Sequence, residues 1–180
     1  MGLASKRYFH SRTGKIMISV GLIYVLALSG CKIKYSFSGA HISDNVKTIS
    51  IQYFQNRASL VQTGLSQYLT DALIDKCKAQ TNLSLVNGIG DVNFEGEIRD
   101  YNTRPLTVAA DAQAATNRFT ITVWVKFTNS VEPDYSYEQT FSRYEDYSSN
   151  LDLSAVENEL SDKIVELLVE DIFNKAFVNW

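Results

Sequence analysis

The chain contains 180 residues, with 17 lysines and arginines and 20 aspartates and glutamates. Residues 1–30 hold four of the basic residues and none of the acidic ones, so residues 31–180 carry a net charge of −7. This length allows one domain with its own core, and an acidic surface repels nucleic-acid phosphates, which excludes nucleic acid as a partner.

The first 30 residues have the pattern of a bacterial export signal. Basic residues come first, and an apolar run at 16–28 is shorter than the roughly 20 residues that a membrane span needs. Leucine, serine and glycine then precede Cys31, which fits the lipoprotein pattern. In that pattern the thiol is alkylated by a diacylglycerol and the chain is cut before the cysteine. We therefore expect a signal peptide at 1–30, a single domain at 31–180, and a covalent lipid on Cys31 as its only prosthetic group.

Two other interpretations of this segment are weaker. An uncleaved anchor would need a longer apolar run. An ordinary secretory cut requires a small residue where the chain has Leu28.

Two alternating segments and a helix are predicted after the cysteine. Residues 32–39 and 47–54 alternate apolar and polar side chains, which is typical of strands. The helix could begin at a capping box on Ser59 or at Thr63, because Gly64 inside its first turn would cost about 1 kcal/mol relative to alanine. Its apolar residues recur at helical spacing: Leu65, Leu69, Ala72, Leu73 and Cys77.

The second half of the chain predicts more strands and a final helix. In order, these are a short apolar run at 83–86, a strand at 92–99, a long connection at 103–117, a strand at 119–127, a hairpin turn at 129–134 and a tyrosine-rich strand at 135–147. Ser154 and Glu157 form a capping box for the last helix. Its expected buried stripe is Val156, Leu160, Ile164, Leu167, Leu168 and Ile172.

This order of elements predicts an α+β fold. Strands that alternate polar and apolar residues favour an antiparallel sheet with one covered face. We expect a two-layer sandwich, in which two helices pack on one face of a mostly antiparallel sheet of four to five strands.

The residues give little indication of catalysis. His41 is the only histidine in 31–180 and lies in a Ser/Gly-rich turn, so no catalytic triad can form without it. Glu95 and Glu97 share one strand face, but carboxylates on a wet face are usually solvated and offset by a neighbour such as Lys126. Cys77 lies in the apolar stripe of a helix, which is typical of a buried thiol. We expect no enzyme, no metal and no other cofactor.

The aromatic residues indicate an interaction surface. Tyr135, Tyr137, Tyr144 and Tyr147 fall in one predicted strand, and Trp124 shares a strand face with threonines. Tyrosine and tryptophan are frequent anchors of protein contacts. The alternative interpretation, that these tyrosines belong to the core, is equally compatible with the sequence.

Several strings support a family resemblance through their order along the chain. They are YSFSGA at 35–40, IQYF at 51–54, FEGEI at 94–98, RFTITV at 118–123, VKFTN at 125–129, FSRY at 141–144 and EDIFNKA at 170–176. Together they resemble the LptE family of lipopolysaccharide-assembly lipoproteins, in the form found in Bacteroidota. The resemblance extends over essentially all of 31–180.

The resemblance implies an outer-membrane lipoprotein that faces the periplasm. It implies a plug inside the lumen of the LptD β-barrel, which supports barrel assembly and helps to deliver lipopolysaccharide to the outer leaflet. Lys32 after the cysteine, with no acidic run nearby, agrees with a periplasmic face. The alternative is a lipoprotein that binds a lipid or glycan alone in the periplasm; an enzyme acting on envelope polymers is the weakest hypothesis.

Other members of the family contact lipopolysaccharide through basic residues in a loop, and that loop does not align with this chain. Arg104 and Arg118 are our own candidates for contact with lipopolysaccharide, because they flank the longest irregular connection and guanidinium pairs well with phosphate. The alternative is that each arginine ends a strand in solvent.

Overall fold

A computed structural model describes residues 42–60, 62–106 and 115–178. In these ranges two α-helices cover one face of a six-stranded sheet. The helices are α1, Leu65–Gln80, and α2, Leu153–Phe177. The strands are β1 (Thr48–Ile51), β2 (Gln55–Asn56), β3 (Ser84–Leu85), β4 (Val92–Pro105), β5 (Thr116–Asn129) and β6 (Tyr137–Ser148).

The sheet is mixed. Its order is β3-β1-β4-β5-β6, and β2 also pairs with β4. Strand β1 runs parallel to β3 and β4, β2 runs parallel to β4, and the long strands β4, β5 and β6 are antiparallel. The predicted α+β class and its two layers are confirmed. The sheet has more strands than expected, and the short parallel pairs lie at its β1 side.

The core lies between the helices and one face of the sheet. Strand β5 follows the predicted alternation, with its odd-numbered side chains buried: Phe119, Ile121, Val123, Val125 and Phe127. Phe94 and Phe127 pack with their ring centres 4.8 Å apart, and the ring of Phe177 from α2 lies 5.7 Å from that of Phe127. On α1 the predicted stripe is buried at Leu65, Leu69, Leu73 and Cys77, and Ala72 is partly buried.

Both predicted helix starts are wrong. Gly64 lies before α1 as its N-cap, with φ of 92°, which only glycine adopts without strain. Neither Ser59 nor Thr63 caps α1. Helix α2 begins at Leu153 after Asp152, so Ser154 lies inside it, and Glu157 accepts a hydrogen bond from the Tyr101 hydroxyl.

The buried stripe of α2 also differs from the prediction: Val156 is only partly buried, and Leu167 lies outside the stripe. Leu160, Ile164, Leu168 and Ile172 are buried, but Leu167 is 40% exposed. A stripe with four-residue spacing advances by about 40° around the helix at each step, because a turn contains 3.6 residues. By the middle of α2 the buried face has rotated away from Leu167, and its place is taken by side chains such as Val165 and Val169.

The connection predicted at 103–117 is strand at both of its ends, because β4 continues to Pro105 and β5 begins at Thr116, whereas residues 107–114 lie outside the described residues. Strands β4 and β5 form one long hairpin, paired as far as Pro105 and Asn117. The register shifts between Ile98 and Asp100, which interrupts the alternation of apolar residues and hides the strand in the sequence.

Two other expectations need comment. The strand predicted at 32–39 lies outside the described residues. Within the described ranges neither helix is long and apolar enough to cross a membrane.

Candidate interaction surface

The sheet face opposite the helices is polar and is not covered by either helix; we call it the open face. The strand register places these residues on it: Asn93, Glu95, Glu97, Asp100, Asn102 and Arg104 of β4, Arg118, Thr120, Thr122, Trp124, Lys126 and Thr128 of β5, and Glu138, Thr140, Ser142, Tyr144 and Asp146 of β6. At its centre the hydroxyls of Thr122 and Ser142 are hydrogen-bonded at 3.0 Å. The wet, threonine-bearing face expected from the sequence is therefore present.

The structure brings the two candidate arginines together at the end of the β4–β5 hairpin. Arg104 and Arg118 are directly opposite in register. Arg118 donates two hydrogen bonds to the carboxylate of Asp146, at 2.8 and 3.0 Å, and its guanidinium lies 3.5 Å from the ring centre of Tyr144. These hydrogen bonds hold the pKa of Asp146 below its usual value.

The two arginines differ in how freely their guanidinium groups can bind an anion. Arg118 is committed to Asp146 and Tyr144, whereas Arg104 is exposed and makes no ion pair with any residue in the described part of the chain. Arg104 is thus the better placed of the two to meet an anion.

A second guanidinium lies on an aromatic ring of the open face. Arg99 lies 4.8 Å from the ring centre of Trp124 and donates from Nε to Glu97 at 2.8 Å. The sequence pattern did not indicate Arg99 as a functional residue. The stacking depends on the β4–β5 register, which the sequence does not fix.

The predicted pair of carboxylates does lie on one face, and each has a partner. Glu95 accepts a hydrogen bond from the Asn93 amide at 2.9 Å and is opposite Lys126 in register, while Glu97 is paired with Arg99. Among the described residues no group of three or more potential metal ligands is found.

The tyrosines divide between core and surface. Tyr147 is buried and Tyr137 packs on Phe127, with ring centres 5.5 Å apart, so these two belong to the core. Tyr135 and Tyr144 are exposed, and Tyr144 is part of the open face. Both interpretations of the tyrosine-rich strand are therefore partly right.

Three further residues were considered from the sequence, namely Cys31, His41 and Cys77. Cys31 and His41 lie outside the described residues. Cys77 is buried in α1, and burial raises the pKa of its thiol to about 12, so it stays protonated and inert at neutral pH.

Similar solved structures are distant in sequence. A neuraminyllactose-binding hemagglutinin homologue from Helicobacter pylori shares 7% identity over 78% of this chain and 88% of that chain, with a TM-score of 0.50. A minor lipoprotein from Acinetobacter baumannii shares 14% identity over 73% of this chain and 92% of that one, with a TM-score of 0.49. Rare lipoprotein B from Shewanella oneidensis shares 9% identity over 72% of this chain and 90% of that one, with a TM-score of 0.46. No match is found among curated protein sequences.

The sequence profile of one family covers almost the whole described fold. It is the LptE family, described as lipopolysaccharide-assembly, and it matches residues 46–176, from just before β1 to the last turn of α2. The family match confirms the resemblance found in the sequence. The chain belongs to the LptE family of lipopolysaccharide-assembly proteins.

Proposed function

We propose that the chain is a lipoprotein of the outer membrane, anchored through Cys31 on the periplasmic side. It lies in the lumen of the LptD β-barrel, supports assembly of that barrel and takes part in moving lipopolysaccharide to the outer leaflet. The observation that carries this proposal is the family match over residues 46–176.

The open face supports the same proposal on physical grounds. The lumen of a large outer-membrane barrel is polar, and an uncovered sheet face of threonines, paired charges and aromatic rings is compatible with it. Tryptophan, tyrosine and arginine are also the residues most often found at the energetic centre of interfaces. We therefore assign the barrel contact to the open face.

Affinity purification of the tagged chain from gently solubilised membranes is expected to recover a large β-barrel. Thr122→Arg, which puts a long charged side chain at the centre of the open face, should reduce the barrel yield at least tenfold. The matched control is Leu167→Arg, which adds the same side chain on the exposed side of α2 and should leave the yield unchanged.

The outcomes distinguish the proposed function from the assignment of the barrel contact to the open face. If the wild-type chain recovers no barrel under conditions that keep such complexes intact, the proposed function is wrong. If it recovers the barrel and only Leu167→Arg reduces the yield, the function stands and the contact lies on the helices instead.

Arg104→Ala is expected to weaken binding of phosphorylated lipopolysaccharide by three- to tenfold, because it removes an exposed guanidinium that has no competing carboxylate within the described chain. Arg118→Ala should have the smaller effect, since Arg118 already pairs with Asp146. Titration of each variant by calorimetry at two salt concentrations would measure this. Equal effects of the two substitutions would contradict the assignment.

A stand-alone binding role remains the second candidate. One observation favours it: the open face carries a groove beside the segment that follows β1, away from the end of the β4–β5 hairpin where Arg104 and Arg118 lie. The barrel purification decides between the two roles.

A further inference from the structure

A groove of about 500 Å³ crosses the open face beside β1. The segment that follows β1 forms one wall, β4 forms the floor, and Trp124 of β5 lies on the other side. Its lining includes Gln52, Tyr53, Gln55 and Ile89, together with the carboxylates of β4. The groove is open to solvent and its volume falls within the range of known ligand sites.

The floor of the groove rests on a buried polar network. Ser50 and Asn93 are only 1% and 5% exposed. The Ser50 hydroxyl donates to Asn93 Oδ1 at 2.6 Å and accepts from the backbone N–H of Gly90 at 3.1 Å. Asn93 in turn donates from Nδ2 to Glu95. Burying polar groups is costly unless they are hydrogen-bonded, and here the bonds fix the position of a carboxylate in the groove.

The walls carry apolar groups that the core does not use. Tyr53 is 54% exposed and Ile89 is 84% exposed, although both are large. With Trp124 they give the groove two aromatic side chains and one aliphatic side chain beside three amides and two carboxylates. Exposed aromatic groups next to fixed polar groups are a common arrangement in ligand sites.

This combination matches the chemistry of a sugar. A sugar ring has C–H faces that pack on aromatic rings, and hydroxyls that donate to carboxylates and exchange hydrogen bonds with amides. Phosphate is a poor ligand here, because Glu95 and Glu97 would repel it. The basic residues near the groove, Arg99 and Lys126, are already beside these two acids.

We propose that the groove binds a neutral stretch of a carbohydrate chain. Tyr53 packs on a ring face, and Gln52, Gln55, Glu95 and Glu97 bind hydroxyls. The chain is either the sugar portion of a lipopolysaccharide or a free glycan of the same chemistry. This inference goes beyond the barrel contact and does not depend on it, since the groove is complete in a single copy of the chain.

The test uses the full lipidated chain, purified in mild detergent and titrated by calorimetry. The probes are a phosphate-free polysaccharide released from smooth lipopolysaccharide, the intact lipopolysaccharide, lipid A without sugars, and an oligolysine peptide. We expect saturable binding of the polysaccharide and of intact lipopolysaccharide. Tyr53→Ala and Glu97→Gln should each weaken polysaccharide binding at least tenfold, and the control Glu138→Gln, on the same face but outside the groove, should change it less than twofold.

Each other result overturns the proposal. No saturable polysaccharide binding, or binding that the groove variants leave unchanged, would show that the sugar does not occupy this groove. Oligolysine binding that is lost in Glu97→Gln, without polysaccharide binding, would assign the groove to a basic protein segment. Binding of intact lipopolysaccharide and of lipid A, without binding of the isolated polysaccharide, would assign the affinity to the lipid portion and would likewise rule out a sugar site in this groove. Because no barrel is present, none of these results bears on the proposed barrel contact.

Discussion

Replacing Cys31 with alanine is expected to abolish fatty-acid labelling of the chain and to block removal of residues 1–30. The thiol is the nucleophile that receives the diacylglycerol, and alanine has none. Each buried methylene of an acyl chain contributes about 0.8 kcal/mol, and one chain gives only marginal attachment, so stable anchoring requires at least two. Metabolic labelling with a radioactive fatty acid and gel mobility of the product would measure both effects.

The other cysteine provides the matched control. Cys77 is buried in α1 and its thiol stays protonated, so Cys77→Ala should keep full labelling. A companion chain with a cleavable secretory signal and alanine at position 31 should appear in the soluble periplasmic fraction, because it lacks the lipid that is proposed to anchor it. Labelling that persists in Cys31→Ala would disprove the lipid site, and an equally membrane-bound companion chain would disprove its anchoring role.

Sequence periodicity predicted well those strands and helices that bury one face and expose the other. Strand β5 is the clearest case, since every second side chain from Phe119 to Phe127 is buried as expected. The prediction failed at 100–105, which continues β4 beyond the predicted end at residue 99. There the register shifts, few side chains are buried, and backbone pairing with β5 stabilises the strand. The short strands β2 and β3 are equally hard to predict, because each has two residues and no pattern of its own.

The surface features depend on residues that are distant in the sequence. Ser50 and Asn93 become neighbours only because β1 pairs with β4 in parallel, an arrangement that the sequence pattern did not predict. Arg99 reaches Trp124 for a similar reason, through the register of the hairpin. The two arginines were identified because they flank a connection predicted to be irregular, but only the structure shows that Arg118 is paired with Asp146 while Arg104 is exposed.

Gly96→Ala is expected to destabilise the fold by about 3 kcal/mol, the upper part of the range for overpacking a core. A Cβ atom at this position would overlap the Phe54 ring, lying 2.7 Å from its Cδ1 atom and closer still to Cε1, and would lie 2.7 Å from the carbonyl oxygen of Trp124. Phe54 is fully buried, so its ring has no free space, and the carbonyl belongs to the long strand β5 that pairs with β4. Urea unfolding should show a lower midpoint with an unchanged slope.

Gly88→Ala is the control for this substitution, because a Cβ at Gly88 meets no atom within 4 Å and the change should stay within about 0.5 kcal/mol. Combining Gly96→Ala with Phe54→Leu should cost less than the sum of the two single changes, since the smaller side chain leaves room for the methyl group. Additive costs would mean that Phe54 does not oppose the new methyl group. A wild-type midpoint for Gly96→Ala would contradict the close packing of Phe54 against β4, and with it the position of the segment that forms one wall of the groove.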